Sequence, residues 1–140
     1  MGWLIVSLSV LFMSSCGGSN PTAPRNVSLD EEFELAPSQI AVVGDTGLTL
    51  AFERVRSDSR CAVDVQCIWE GDAAVAVTAA QPSHDTAALE LHTTTSGGGQ
   101  REARYGDFLI TLTALAPQPH TQKPIQSGDY RATLRVGSAR

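Results

Sequence analysis

Apolar and polar residues alternate with a period of two along most of the chain after residue 28, which is typical of β-strands with one buried face. In the clearest example, Leu48, Leu50 and Phe52 fall on one face of a predicted strand. Residues 73–79 are instead a continuous run of small apolar residues, which favours a central strand. Further predicted strands cover residues 33–35, 87–94, 108–113 and 130–136. No segment of ten or more residues has the 3.6-residue period of a helix.

Glycine and proline separate these segments and define the predicted turns. Residues 96–99, Ser-Gly-Gly-Gly, lie between two alternating segments and predict a hairpin. Residues 127–130, Ser-Gly-Asp-Tyr, resemble the turn before the tyrosine corner of immunoglobulin-like domains, although a turn followed by an edge aromatic explains them equally well. Six to eight short strands without a helix predict an all-β fold, an antiparallel β-sandwich that is immunoglobulin-like or related.

The first 15 residues differ from the rest because none of them is charged and residues 3–13 are mostly apolar. That run is shorter than the roughly 20 residues of a membrane-spanning helix and has the length of the apolar core of a signal peptide. It ends in Met13-Ser14-Ser15-Cys16, which resembles the lipobox of bacterial lipoproteins, with Met13 where Leu is usual. The resemblance implies a signal peptide over 1–15 and lipidation of Cys16; the alternative is an ordinary signal peptide cleaved nearby.

Residues 16–28 are predicted to form a flexible tether because they contain two glycines, two prolines and few apolar residues. A single β-sandwich domain over 29–140 follows. The lipoprotein resemblance implies anchoring in the bacterial cell envelope, on the periplasmic face of the outer membrane where the cell has one, since Gly17 is not a retention residue for the inner membrane. Several acyl chains suffice for stable anchoring.

The charge balance bears on the partners of the mature chain. The formal net charge is −5, and Lys123 is the one lysine of the chain. Nucleic acids and anionic lipid surfaces are bound by clustered Lys and Arg, so neither is expected as a partner. The expected partners are the membrane, through the lipid anchor, and another envelope protein.

Two cysteines remain after Cys16, and their context predicts a disulfide. Cys61 and Cys67 form an even pair in an exported chain. A metal or redox pair is the alternative, but the spacing is not Cys-x-x-Cys and no second Cys/His pair has zinc-site spacing. Because the closed loop is short, the chain-entropy model gives it only about 2–2.5 kcal/mol.

The stretch around this pair, residues 58–73, is the most distinctive of the chain. It reads Asp-Ser-Arg-Cys-Ala, then four residues to Cys67, then Ile-Trp-Glu-Gly-Asp-Ala. It resembles the Asp-Ser-Arg-Cys-Pro…Cys-Val-Trp-x-Gly-x-Ala loop of a family of uncharacterised bacterial lipoproteins and secreted proteins. Ala62 replaces the usual Pro, which would have restricted the backbone. The resemblance implies a disulfide-closed loop on a β domain and implies no activity.

Trp69 allows two interpretations. The indole can pack against the disulfide as a plug at one end of the sandwich, or the loop can display a binding surface made of Arg60, Trp69, Glu70 and Asp72. Tryptophan and arginine are enriched at binding hot spots, which is the basis for the second interpretation.

Three further residues of the loop have predicted local roles. Asp58 is expected to cap the loop through backbone amides, and Arg60 to pair with Asp64, Glu70 or Asp72. Gly71 is expected to allow a turn or bulge before the next strand.

The sequence gives little indication of a metal site or a catalytic site. Calcium requires six to eight oxygen ligands, and the spacing of the loop carboxylates matches neither the EF-hand pattern nor a calcium-binding nonapeptide repeat. The three histidines are not expected to converge on a metal, so no metal and no cofactor is predicted. The candidate ligands are Asp58, Asp64, Glu70 and Asp72 for calcium, and His84, His92 and His120 for a transition metal.

No Gly-x-Ser-x-Gly, His-Glu-x-x-His or phosphate-loop motif occurs, so no catalytic residue is predicted and the chain is not expected to be an enzyme. The predicted function is that of a membrane-anchored envelope lipoprotein acting as a non-catalytic binding or accessory module. The alternative is an envelope inhibitor, or a protein that binds a small ligand or a metal.

Overall fold

The computed structural model describes residues 23–140, and over that range the chain folds into nine β-strands. The strands run, in order, β1 Arg25–Val27, β2 Glu32–Leu35, β3 Ile40–Val43, β4 Leu48–Asp58, β5 Ala73–Gln81, β6 His84–His92, β7 Glu102–Tyr105, β8 Phe108–Ala116 and β9 Arg131–Ser138. Two single-turn 3₁₀ helices, Ser96–Gly98 and Ser127–Asp129, are the only helical elements of this described part. None of its helices is long and apolar enough to cross a bilayer.

Two sheets form the sandwich. The first has five strands in the order β1-β3-β4-β5-β6, and the second has four in the order β2-β9-β8-β7. All pairings are antiparallel except that of β1 with β3. The predicted all-β antiparallel sandwich is therefore confirmed, with nine strands where six to eight were expected.

The core lies between the sheets, where the alternating apolar residues of both sheets meet. Leu48, Leu50 and Phe52 of β4 are fully buried, as their period-two spacing predicted. In β5 both faces are buried over Ala73–Val77 because alanines occupy the outward positions. Ala76 pairs with Arg54 on one side and Glu90 on the other, so longer neighbouring side chains flank its small methyl group.

The structure corrects two of the sequence expectations. The predicted hairpin at residues 96–99 does not form, because β6 and β7 belong to different sheets and the glycine turn crosses between them. Arg25–Val27, assigned to the tether, is a strand paired with β3, so the ordered domain begins at least four residues before residue 29. The predicted signal peptide and the lipidated Cys16 lie outside the described residues.

Candidate functional site

The loop that joins β4 to β5, residues 59–72, leaves the sandwich on a short hydrogen-bonded stem. The Ser59 amide donates to the Asp72 carbonyl at 2.7 Å, and the Cys61 amide donates to the Glu70 carbonyl at 3.1 Å. Above the stem, Cys61 and Cys67 form the predicted disulfide, with their Cα atoms 5.9 Å apart. The stem and the disulfide together hold the loop tip in one place relative to the sheets.

Gly71 permits the stem to close. Its φ is +72°, a left-handed conformation that glycine adopts without a steric penalty. A Cβ atom at this position would lie 2.0 Å from the carbonyl oxygen of Ser59 on the opposite side of the stem. The expected turn glycine is confirmed, and the close backbone approach explains why no side chain fits.

Arg60 fastens the start of the loop to the second sheet. Its guanidinium donates to both carboxylate oxygens of Asp58, at 2.8 and 2.6 Å. It also donates to the carbonyls of Leu115, at 2.6 Å, and Pro117, at 2.9 Å, at the end of β8 and just beyond it. The side chains of Arg60 and Asp58 are only 8% and 11% exposed. The predicted pairing of Arg60 with Asp64, Glu70 or Asp72 is wrong, and its partner is Asp58.

Asp58 is the centre of this cluster. Its carboxylate also accepts hydrogen bonds from the Arg60 backbone amide, at 3.2 Å, and from the Tyr130 hydroxyl, at 3.1 Å. Burial disfavours the charged carboxylate, but the hydrogen bonds and the charge of Arg60 outweigh it and lower the pKa of Asp58. Tyr130 therefore bonds to the side chain of the last residue of β4, not to the upstream backbone as a tyrosine corner would.

Asp72 fastens the end of the loop to β6. Its Oδ1 accepts from the backbone amides of Thr93 and Thr94 and from the Thr93 hydroxyl, at 3.1 to 3.2 Å. Its Oδ2 lies 2.5 Å from Nδ1 of His92, whose Nε2 lies 3.3 Å from Glu90. Burial opposes ionisation of Asp72, but hydrogen bonds from His92, Thr94 and Thr93 prevail and lower its pKa. The hydrogen bond to Asp72 in turn raises the pKa of His92.

The stability of the domain is expected to fall as pH rises through the pKa of His92. The pKa of His92 is higher in the folded state than the unfolded value of about 6.5, so the protonated imidazole stabilises the folded domain. This stabilisation is complete below a pH of about 6.5 and is lost as pH rises through the folded-state pKa, where His92 loses its proton. The prediction is checked by urea unfolding at several pH values between about 5.5 and 8.5. His92→Gln is expected to flatten the decline, whereas His84→Gln, which removes an imidazole elsewhere, is expected to keep it. An unchanged pH profile in His92→Gln would exclude the Asp72 contact as its source.

A third contact fixes the disulfide-closed segment itself. Asp64 accepts hydrogen bonds from the backbone amide of Thr121, at 3.0 Å, and from the Thr121 hydroxyl. These two bonds lower the pKa of Asp64. The Val63 amide donates to the Pro119 carbonyl at 3.0 Å. The connection between β8 and β9 therefore supports the loop in addition to β6.

The tip of this anchored loop is apolar and exposed. Ile68 is 93% exposed and Trp69 is 81% exposed, and Val63 and Val65 of the same loop are 66% and 47% exposed. The interpretation of Trp69 as a core plug is therefore wrong, because the indole lies outside the sandwich. Adjacent large apolar side chains exposed on a surface, such as Ile68 and Trp69, are typical of an interaction site.

The four residues predicted to form the binding surface divide into two pairs. Trp69 and Glu70 are exposed, whereas Arg60 and Asp72 are held in the internal networks of the stem. Sequence reasoning missed Ile68, although its position next to Trp69 in an acidic, polar loop was the available signal.

Several clefts border the loop. One, of about 410 Å³, lies between its base and β8 and is lined by Arg60, Glu70 and Arg101 among others. A second, of about 470 Å³, lies between Val63 and the connection from β8 to β9. A third, of about 350 Å³, lies beside Ile68 and Trp69 and is also lined by Thr94, Ser96 and Gly97 of the turn after β6. Within residues 23–140 there is no group of three or more His, Cys, Asp or Glu side chains placed to hold a metal ion.

Comparisons with protein-family models, with curated proteins and with solved structures found no match to this chain.

Proposed function

We propose that this chain is a membrane-anchored lipoprotein of the bacterial cell envelope, and that its domain is a non-catalytic binding module for another envelope protein. The 59–72 loop is the contact surface. Cys16, three residues after the end of the apolar segment 3–13, is the proposed lipid attachment site. The observation that carries the binding function is the exposed Ile68-Trp69 pair on a loop that is anchored on both sides.

Burial of this pair supplies the free energy for binding. A tryptophan side chain buries about 150–250 Å² in an interface, which corresponds to at most about 4–6 kcal/mol before the costs of association. The stem, the disulfide and the networks of Asp58 and Asp72 order the loop before binding, so little conformational entropy is lost on contact. Exposed apolar residues on an ordered loop are therefore suited to recognition of a defined partner.

The proposal is tested by photocrosslinking in intact membranes of the source cells. The full chain carries p-benzoylphenylalanine in place of Ile68, and its adducts are compared with those formed after the additional change Trp69→Ala. We expect one discrete protein adduct, reduced at least about tenfold by Trp69→Ala, since a hot-spot residue contributes about 2 kcal/mol or more. Adduct masses are measured so that protein and lipid products are distinguished.

Ile40→Ala provides the control, because Ile40 is an exposed aliphatic residue on β3, away from the loop. It is expected to leave the adduct unchanged, and circular dichroism confirms folding of each variant. No protein adduct, an adduct that survives Trp69→Ala, or adducts to lipid alone would refute the binding function. If the captured protein is a protease that the domain blocks, the module acts as an envelope inhibitor.

A further inference from the structure

The cleft beside Trp69 combines an aromatic wall with a negative charge. Ile68 and Trp69 supply its large apolar side chains, Glu70 supplies a carboxylate, and Thr94 and Ser96 are also among the lining residues. No Lys, Arg or His is among the residues that line it. Its volume of about 350 Å³ is large enough to admit one long side chain.

Glu70 is the carboxylate that this cleft offers to a ligand. The Thr94 hydroxyl donates to its Oε2 at 3.5 Å, and Oε1 has no hydrogen-bond or ion-pair partner within residues 23–140. Asp72, which also lines the cleft, already accepts three hydrogen bonds on Oδ1 and contacts His92 through Oδ2. The charge of Glu70 is therefore left for an external cation.

The arginines at the base of the loop do not neutralise Glu70. Arg60 directs its guanidinium to Asp58 and to the carbonyls of Leu115 and Pro117. Arg101 donates to the carbonyls of Leu112, at 3.4 Å, and Thr113, at 2.9 Å. Neither arginine forms an ion pair with Glu70 in the described part of the chain.

We infer that this cleft receives a lysine or arginine side chain of the partner protein, an inference that rests on the binding function proposed above. The cation lies against the face of the Trp69 indole, where the ring quadrupole attracts it, and donates to Oε1 of Glu70. A purely apolar side chain would fit Ile68 and Trp69 but would bury the Glu70 carboxylate without a partner, which is costly. The net charge of −5 also favours a basic surface on the partner.

A displayed library of random dodecapeptides tests the inference. The purified full chain, its Trp69→Ala variant and its Glu70→Gln variant are panned in parallel. Peptides that require Trp69 are expected to be enriched in Arg or Lys, to bind Glu70→Gln about tenfold more weakly, and to weaken as salt is raised. Glu102→Gln, which removes the same charge from an exposed position on β7, is expected to bind them like the wild type.

Trp69-dependent peptides without an excess of basic residues, or with equal affinity for Glu70→Gln, would overturn the inference. So would the absence of any Trp69-dependent peptide. If the membrane crosslink to a protein persists in that case, the binding function stands and only the cationic specificity is lost. If basic peptides bind but no protein adduct forms in membranes, the cleft has the inferred chemistry and the envelope-protein function fails.

Discussion

Replacing Arg60 with Ala is expected to lower the free energy of unfolding by about 3–5 kcal/mol, the cost of breaking a buried ion pair by removing one partner. The variant leaves the Asp58 carboxylate, 11% exposed, without its cation. It also removes the donors of the Leu115 and Pro117 carbonyls, which tie the loop to β8. Urea or guanidinium unfolding of the purified domain measures the loss. The total free energy of unfolding of a domain of this size is about 5–15 kcal/mol, so the variant is expected to be marginally stable.

Arg56→Ala is the matched control, because it removes the same group from an exposed ion pair with Glu90. Its side chain is 52% exposed, and exposed pairs contribute only about 0–1 kcal/mol. Equal losses in the two variants would show that the buried position of Arg60 does not matter.

The same cluster determines how the domain responds to acid. Because the pKa of Asp58 is lowered in the folded state, the ionised carboxylate stabilises the folded domain at pH values above its unfolded pKa of about 3.9. This stabilisation is lost as pH falls through the folded-state pKa of Asp58. This direction is opposite to that of His92, whose contribution is lost as pH rises, so the loop anchors are most stable at intermediate pH.

The sequence predicted the strands in which apolar residues either alternate with polar ones or form a continuous small run, as in β5. In β4 and β9 the observed burial follows the period of two. β1 and β3 were missed because each has only three or four residues and, unlike the similarly short β2, no clear alternation of apolar and polar residues. β7 was missed although its four residues do alternate. The hairpin predicted after β6 is wrong because a glycine turn has the same local chemistry whether the next strand joins the same sheet or the opposite one.

For the loop, too, features that depend on neighbouring residues were predictable from the sequence, whereas contacts with residues far away in the chain were not. The disulfide was predictable because only two cysteines remain in the predicted domain. The anchors of Arg60 were not, because the Leu115 and Pro117 carbonyls lie 55 and 57 residues away in the chain. Exposure of Trp69 was also not predictable, since large apolar residues are usually buried and nothing local indicates that the core is already filled.

The two anchors explain how an apolar tip stays outside the sandwich. Asp58 and Asp72 bracket the loop, and each lies in a network that joins it to a strand or connection other than β4 and β5. The hydrogen bonds of Asp64 with Thr121 add a third contact that holds the disulfide-closed segment. The internal polar groups of the stem thus set the position of the loop, and the exposed residues Ile68, Trp69 and Glu70 are left for recognition.

Gly71→Ala is expected to disrupt this arrangement without removing any contact residue, and to cost about 3–5 kcal/mol in total. The left-handed backbone contributes about 1–2 kcal/mol of that cost in a residue with a Cβ. The remainder follows from the clash with the Ser59 carbonyl, which separates the two sides of the stem and weakens the bonds between Ser59 and Asp72, each worth about 1 kcal/mol. Denaturant unfolding measures the cost, and crosslinking through position 68 measures the loss of partner contact.

Gly97→Ala separates the two contributions, because Gly97 has a φ of +74° but no heavy atom within 4 Å of the position that a Cβ atom would occupy. It is expected to show only the backbone cost of about 1–2 kcal/mol. A Gly71→Ala variant no less stable than Gly97→Ala would mean that the stem absorbs the added methyl group. A Gly71→Ala variant that is destabilised but still crosslinks like the wild type would mean that recognition depends on Ile68 and Trp69 and not on the position in which the stem holds them.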